Sequence, residues 1–154
     1  MAWRPLPGDR SKATNAERRK KAMKRIVSTG TPVGILGYQD GRPVAWCSIA
    51  PRGSYRSLGG AEYPGVNEER IWSLVCFFVP RPLRGQGIMR QLLQQAIKTA
   101  RKHGARVVEA YPVDPDSPSY RFMGFVANFK EAGFTETGRA GSRRHVMHLF
   151  LRAA

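Results

Sequence analysis

IWSLVCFFVPRPLRGQGIMRQLLQQAIKTARKHGARVVEAYPV, residues 71–113, carries the strongest structural signals of the chain. Its opening run, residues 71–79, is continuously apolar, which is typical of a strand covered on both faces. Residues 88–103 show helical apolar spacing, and the glycine that follows them suits the end of a helix. Residues 106–113 read as a second strand. A strand, a helix and a strand in this order predict a right-handed crossover between two parallel strands.

The turn between this strand and this helix has the chemistry of an anion site. The first N–H groups of a helix have no acceptor within the helix, and they carry the positive end of its dipole. Gly85 and Gly87 leave the backbone open to a ligand, while Arg81, Arg84 and Arg90 surround the turn with positive charge. The turn therefore predicts a site for phosphate or pyrophosphate. It matches neither the P-loop pattern nor the full dinucleotide-binding glycine pattern.

The residues before the crossover predict a helix, a hairpin and a long connection. Thr14 and Glu17 have capping-box spacing ahead of a basic helix with a narrow apolar face. Residues 33–39 and 42–50 read as a hairpin whose Asp-Gly turn suits type I′ geometry. Residues 51–70 have no clear period, and connections of this length are often functional.

The residues after the crossover predict a short helix within 119–134 and two final strands joined around 140–142. The complete order is α, β, β, β, α, β, α, β, β. The crossover requires a parallel pair and the hairpins require antiparallel pairs, so we expect a mixed sheet with helices on its faces. Residues 1–13 are expected to be a flexible arm or the remnant of a first strand, and residues 14–154 to form a single domain.

Composition limits the class of protein. The chain of 154 residues is long enough for one domain with a core, and its net charge of +15 favours polyanionic partners. No apolar run reaches the roughly 18 residues that a bilayer crossing needs. Cys47 and Cys76 both lie in apolar strand-like runs, which favours reduced thiols in a cytoplasmic protein.

Several segments, in the correct order, resemble the GNAT superfamily of acetyl-CoA-dependent N-acetyltransferases. RGQGIM (84–89) resembles the acyl-CoA-binding motif of that family, and WSLVCFFVP (72–80) resembles the strand before it. NFKEAGF (128–134) resembles the signature near the carboxyl terminus, and residues 34–52 resemble the hairpin ahead of the core motif. RVVEAYPVD (106–114) resembles the strand after the helix. The resemblance extends over residues 33–151.

The resemblance implies an α/β (α+β) fold with a GNAT-like mixed β-sheet splayed between strands 71–79 and 106–112, and helices on both faces. Acetyl-CoA would lie in the opening as co-substrate, without a metal, and its pantetheine would pair with the backbone like an added strand. The cofactor-binding residues that the resemblance implies are Phe78, Val79, Leu83, Arg84, Gly85, Gln86, Gly87, Ile88, Met89, Arg90 and Asn128.

Two positions depart from the family pattern. Met89 stands where the family has glycine or alanine, so we expect its side chain to point away from the diphosphate and into the core. Phe129 stands where the family often has a tyrosine that protonates the leaving thiolate. The usual acid is therefore absent from its usual place, and another residue is expected to replace it.

Residues expected to face the cleft supply the candidates for this chemistry. Tyr120 precedes the helix that normally carries the acid, while Glu109 and Tyr111 share one face of a strand. Ser73 is a further candidate on the preceding strand. Acetyl transfer needs a neutral amine, a donor for the oxyanion and a proton for the thiolate. The connection 51–70, with its tyrosines and glutamates, is expected to act as a lid over the acceptor.

The favoured function is transfer of an acetyl group from acetyl-CoA to a primary amine acceptor without a covalent enzyme intermediate. One alternative is a nucleic-acid-binding module that uses the basic helix 17–25, although this helix lacks interleaved aromatic residues. A second alternative is a family member that binds CoA without transferring. Homodimerisation through the final strands is a further expectation, and no spacing of metal ligands is present.

Overall fold

A computed structural model describes residues 3–5 and 15–152 of the chain. The elements follow the predicted order of α, β, β, β, α, β, α, β, β. Their bounds are α1 Asn15–Ser28, β1 Ile35–Gln39, β2 Arg42–Pro51, β3 Ile71–Phe78, α2 Ile88–Lys102, β4 Val107–Ala110, α3 Val126–Glu131, β5 Thr135–Ala140 and β6 Arg144–Phe150. Most of the predicted arm 1–13, and Thr14 of the predicted capping box, lie outside the described residues, and residues 3–5 form no strand.

The strands form one six-stranded mixed sheet in the order β1-β2-β3-β4-β6-β5. All neighbours are antiparallel except β3 and β4, which are parallel, as the crossover predicts. These two strands pair only from Ile71↔Val107 to Leu74↔Ala110. β3 then continues to Phe78, and in the part of the chain that the structure describes it pairs there with β2 alone. The sheet is therefore open beside the second half of β3, which confirms the predicted splay.

β4 is shorter than the predicted strand 106–113 because β3 diverges from it. Beyond Ala110 the chain has no ladder partner on the β3 side. Pro112 has no N–H to offer a ladder, although its carbonyl accepts a hydrogen bond from His145 N at 2.8 Å. Val113 then forms a single bridge with Phe125. The chain after β4 thus leaves the sheet and turns along the opening.

The hairpin of β1 and β2 confirms the predicted turn chemistry. Asp40 has φ +50° and Gly41 has φ +74°, so both central residues adopt the left-handed conformation of a type I′ turn. Aspartate accepts this conformation more readily than most residues, and glycine adopts it without steric cost. The hairpin places β2 directly beside β3.

Helices α2 and α3 pack on one face of the sheet. The apolar side of α2 is buried there against residues of β2 and β3, and Phe129 and Phe134 extend the same core. The opposite face is covered by buried side chains from the connection between β2 and β3 and from the chain after β4: Tyr55, Leu58, Tyr63, Tyr111 and Met123. Each fully buried apolar side chain stabilises the fold by about 1.5–3 kcal/mol.

Within the described ranges, no helix combines the length and the apolar composition that crossing a bilayer requires.

Candidate active site

A cavity of about 730 Å³ lies at the opening of the sheet. The end of β3 forms one wall, the turn into α2 forms the floor, and the segment before α3 forms the other wall. The lining residues are Phe77, Phe78, Val79, Leu83, Arg84, Gly85, Gly87, Ile88, Met89, Arg90, Arg121, Phe122, Phe125 and Asn128. All the residues suggested by the family resemblance line this cavity except Gln86, whose Nε2 donates to the carbonyl of Pro82 at 3.1 Å.

The turn into α2 has the geometry of an anion site. Gly85 and Gly87 have φ +76° and +78°, and a Cβ at either position would meet no atom within 4 Å. Gly87 is the N-cap of α2, and the first hydrogen bond of the helix runs from Gln91 N to Gly87 O. The N–H groups of the first turn therefore have no acceptor within the helix. Open space, free donors and the helix dipole together suit a pyrophosphate.

Two arginines of this region are held by specific partners. Arg84 Nε donates to Val79 O at 2.9 Å, which fixes its side chain across the turn. Arg90 Nη2 pairs with Glu131 Oε2 of α3 at 2.6 Å, although both groups are exposed. The charge of Arg84 consequently stays at the mouth of the cavity, where it can add to the potential of the helix terminus.

The two residues that depart from the family pattern have different surroundings. Met89 lines the cavity and also packs against the main core, so the expectation that its side chain points away from the diphosphate stays a prediction. Phe129 is fully buried, with its ring centroid 6.2 Å from that of Phe77 and 5.1 Å from that of Phe134. Gly124 is essential to this packing because a Cβ there would lie 2.7 Å from Phe129 Cε2. Phe129 thus contributes packing and offers no proton.

Three of the four catalytic candidates belong to one buried hydrogen-bond network. Glu109 is fully buried and accepts from the hydroxyl of Tyr111 and the hydroxyl of Tyr63, the latter at 2.6 Å. It also accepts from Ala61 N at 2.8 Å, and Arg52 Nη1 lies 3.5 Å away.

Ser73 Oγ lies 3.2 Å from the hydroxyl of Tyr111 and completes this network. Burial raises the pKa of Tyr111, and the neighbouring Glu109 carboxylate raises it further. Burial likewise raises the pKa of Tyr63, with the hydrogen bond to Glu109 as the next cause. A phenol with a raised pKa releases its proton less readily. The network is therefore better suited to holding these segments of the chain in place than to transferring protons.

The connection 51–70 is held down by this network. Its main chain is bonded to Glu109 through Ala61 N, and Gly60 passes so close that a Cβ there would lie 2.0 Å from Glu109 Oε1. Arg52 pairs with Glu68 across the connection and donates to Ala61 O at 2.7 Å. The segment expected to be a lid is therefore bonded to the sheet at its centre.

Tyr120, the fourth candidate, lies beside the cavity. It has φ +60°, and its ring stacks on Trp3 with a centroid distance of 5.9 Å. Phe122, which lines the cavity, lies 6.5 Å away centroid to centroid. The guanidinium of Arg144 lies over both Trp3 and Tyr120. Among the described residues, no hydrogen bond engages the Tyr120 hydroxyl, in contrast to the hydroxyl of Tyr111.

The thiols are poorly suited to nucleophilic catalysis. Burial raises the pKa of Cys47 well above its usual value, and burial also raises the pKa of Cys76. The thiolate is the reactive form, so both groups are weak nucleophiles near neutral pH. Within residues 3–5 and 15–152, no cluster of His, Cys, Asp and Glu side chains has the arrangement of a metal site.

Sequence reasoning missed several residues of this region. Arg121, Phe122 and Phe125 line the cavity, and their signal was the aromatic-rich run YRFMGF at 120–125, in the connection between the second crossover strand and α3. Trp3 and Arg144 were missed because they are 141 positions apart in a chain with no local pattern around either, and only the folded chain brings them together.

Comparison with known proteins agrees with this geometry. The Acetyltransferase (GNAT) family profile matches residues 2–125, and no curated protein matches the chain. Ribosomal-protein-alanine N-acetyltransferase from Brucella melitensis shares the fold with a TM-score of 0.62 and 22% identity, over 90% of this chain and 80% of that chain. An N-acetyltransferase from Staphylococcus aureus Mu50 gives a TM-score of 0.61 and 16% identity, over 92% and 80%.

The PaiA N-acetyltransferase from Thermoplasma acidophilum, solved in complex with coenzyme A, gives a TM-score of 0.59 and 14% identity, over 89% of this chain and 72% of that chain. These likenesses concern the fold, whereas the profile covers most of the sequence itself. The splayed mixed sheet, the glycine turn at the start of α2 and the profile match lead to one conclusion: the chain belongs to the GNAT family of acetyltransferases.

Proposed function

We propose that the protein is an N-acetyltransferase that moves an acetyl group from acetyl-CoA to a primary amine acceptor by direct transfer. The observation that carries this proposal is the cavity at the opening of the sheet, which combines an unpaired strand edge with a glycine-lined helix N-terminus.

Different parts of the cavity suit different parts of the acetyl-CoA molecule. Beyond Leu74 the backbone of β3 has no partner on the side of the opening, and a pantetheine chain would pair there as an added strand. The N–H groups at the start of α2 and the charge of Arg84 suit the pyrophosphate. Phe78 and Phe122 are exposed apolar side chains that face the cavity, which is typical of a ligand-binding surface.

The reaction forms one bond and breaks one. The neutral amine nitrogen attacks the thioester carbonyl carbon, the C–N bond forms and the C–S bond breaks. The amine loses one proton, and the thiolate of CoA gains one. We assign the donation of the thiolate's proton to Tyr120, because Phe129 has no hydroxyl and the hydroxyl of Tyr111 is committed to Glu109. The proton lost by the amine passes to solvent, from which the Tyr120 phenolate regains its own proton. The raised thiol pKa values of Cys47 and Cys76 support transfer without an acyl-enzyme.

The test of the cleft is the affinity for acetyl-CoA in a matched pair of variants. In the free protein an alanine at position 87 relaxes out of the left-handed conformation, and binding must restore that conformation at a cost of about 1–2 kcal/mol. Gly87→Ala should therefore weaken acetyl-CoA binding by about fivefold to thirtyfold. Gly30→Ala introduces the same type of strain at φ +76°, in open space after α1. It should leave binding unchanged in calorimetry. Equal affinities for both variants, or no binding by the unaltered protein, would rule out the proposed cofactor site.

The test of the proton donor is turnover in a thiol-release assay with a panel of amines. Loss of a general acid typically lowers the rate by about 10²–10⁴, so Tyr120→Phe should reduce kcat while acetyl-CoA affinity stays constant. Tyr38→Phe, which alters an exposed tyrosine of β1, is the control. Wild-type turnover by Tyr120→Phe would remove Tyr120 from the mechanism.

A further inference from the structure

Arg4 is a buried cation for which the described residues supply no carboxylate partner. Its side chain is 3% exposed, and Nη2 donates to Val33 O at 3.0 Å and to the Tyr55 hydroxyl at 3.2 Å. The guanidinium lies 4.5 Å from the centre of the Tyr55 ring. Among the described residues Arg4 forms no ion pair, whereas buried charges in proteins are usually paired. The region around Arg4 therefore favours an anion.

Arg144 is a second cation in the same region. Its guanidinium lies 5.1 Å from the ring of Trp3 and 5.3 Å from the ring of Tyr120, so it is held against two aromatic side chains. Nη1 donates to Leu58 O at 3.2 Å. Within the described ranges no carboxylate pairs with Arg144, and a single carbonyl leaves most of its N–H groups available.

The indole of Trp3 adds an unused donor beside Arg144. Trp3 Nε1 is shielded from solvent, and no described residue supplies a hydrogen-bond acceptor for it. A buried N–H without an acceptor costs free energy, and a ligand oxygen would recover it. Guanidinium and indole N–H groups both donate hydrogen bonds, and each suits an anionic oxygen group.

The side chains of Arg144 and Trp3 lie near the open end of the cleft, to which the proposed function assigns the acetyl group. Trp3, Tyr120 and Cys76 all pack against the buried cluster on the sheet face opposite α2. Cys76 belongs to the part of β3 that lies beyond the last β3–β4 pair, and Phe122 links Tyr120 to the cavity. The donors thus border the open end of the cleft, on the side away from the α2 terminus.

We infer that the amine acceptor also carries a carboxylate, which Arg144 and Trp3 Nε1 hold while Arg4 adds positive potential from below. This inference rests on the proposed transferase function and narrows its acceptor to amino-acid-like molecules. A carboxylate is planar and accepts two parallel hydrogen bonds from a guanidinium, and stacking on aromatic rings pre-orients that guanidinium. Glu109 does not compete, because its oxygens are already occupied.

The experiment compares each L-amino acid with its own amide in the thiol-release assay. The two members of a pair share the amine and the side chain and differ only in the carboxylate. We expect kcat/KM to favour the acid form by about tenfold to a hundredfold, the usual contribution of a charge-assisted pair. Arg144→Gln should remove most of this preference, Arg144→Lys should retain part of it, and Trp3→Phe should lower it by a smaller factor.

The adjacent Arg143 provides the matched control. It is exposed, and its Nη1 donates to Ser119 Oγ at 2.6 Å, so Arg143→Gln should leave the preference for the acid form unchanged. A merely structural Arg144 would lower the rates of both members of a pair by the same factor, and that result would overturn the inference. Thermal unfolding of each variant shows whether the variant still folds. Trp3→Phe keeps the stacked ring but removes the indole N–H, so it tests the preference for the acid form independently of Arg144.

Two further outcomes separate this inference from the proposed function. If acetyl-CoA binds and amines without a carboxylate are acetylated while amino acids are not, the inference is wrong and the transferase function stands. If calorimetry detects no acetyl-CoA binding, the proposed transferase function and the inferred carboxylate site are both wrong. Acetylation of acid and amide forms with equal kcat/KM would also overturn the inference.

Discussion

Replacing Glu109 by glutamine tests whether its carboxylate holds the connection 51–70 in place. The carboxylate has two oxygens, and each serves two donors. Oε2 accepts from Tyr63 and Ala61 N, while Oε1 accepts from Tyr111 and lies near Arg52. An amide of the same shape keeps only one oxygen and presents N–H groups at the other position. Glu109→Gln therefore preserves volume and changes hydrogen bonding alone.

The structure sets the size of the effect. If the amide oxygen keeps Tyr63 and Ala61, these bonds change from charge-assisted to neutral, and each loses about 1 kcal/mol. The amide N–H then faces Tyr111, which can turn its hydroxyl toward Ser73 Oγ, 3.2 Å away. Arg52 keeps Glu68 and the carbonyl of Ala61. Glu109→Gln should therefore lower the free energy of unfolding by about 2–4 kcal/mol, which corresponds to a decrease of about 5–15 °C in Tm for a chain of this length.

Thermal and urea unfolding measure this loss directly, and Glu62→Gln is the control. Glu62 lies in the same connection, and its side chain is exposed. An exposed isosteric change of this kind should alter stability by less than about 0.5 kcal/mol. Combining Glu109→Gln with Tyr63→Phe should give a loss smaller than the sum of the single losses, because the two side chains share one bond. Equal stability of Glu109→Gln and Glu62→Gln, or strict additivity in the cycle, would refute the assignment.

Two further predictions concern alkaline stability and core packing. Burial raises the pKa of Tyr55 to about 12, and the two tyrosines bonded to Glu109 have pKa values that are also raised. Above pH ~10 these tyrosines keep their protons in the folded state, whereas the same tyrosines ionise in the unfolded chain. Their contribution to the free energy of unfolding is therefore fully present below pH ~10. It is lost as the pH rises, at up to about 1.4 kcal/mol per pH unit for each tyrosine. Urea unfolding between pH 9 and 12 should show this decline, with a shallower slope in Tyr55→Phe; an unchanged slope would contradict it. Gly124→Ala should cost about 2–5 kcal/mol through contact with Phe129 and left-handed strain, whereas Gly138→Ala, whose Cβ meets nothing, should cost far less in the same assay.

The fold was readable from local sequence because its main signals are local. The apolar run 71–79, the helical spacing after it and the Asp-Gly turn each depend on residues close together in the chain. The length of β4 was not readable, since it ends where β3 diverges from it, and that divergence depends on how the two strands pack in the complete sheet.

The candidate site was readable to the same extent. The glycine turn predicts an anion site, which stays a prediction, and strand alternation placed Glu109 and Tyr111 on one face. The burial of Glu109 was not foreseeable because its partner Tyr63 lies 46 positions earlier in a segment without periodicity. Trp3 and Arg144 come from opposite ends of the chain, and no single-sequence pattern reports such a pairing.

The short parallel ladder between β3 and β4 is also the seam between two halves of the sheet. Strands β1, β2 and β3 form one half of the sheet and β4, β6 and β5 the other. Among residues 3–5 and 15–152, these halves are joined by the single ladder from Ile71↔Val107 to Leu74↔Ala110. A ligand chain bonded along the open edge of β3 would extend this seam, so amide hydrogen exchange in residues 75–79 should slow when acetyl-CoA is added. Because binding favours only the folded form, the two halves should then separate less often, and the co-substrate becomes part of what keeps the sheet whole.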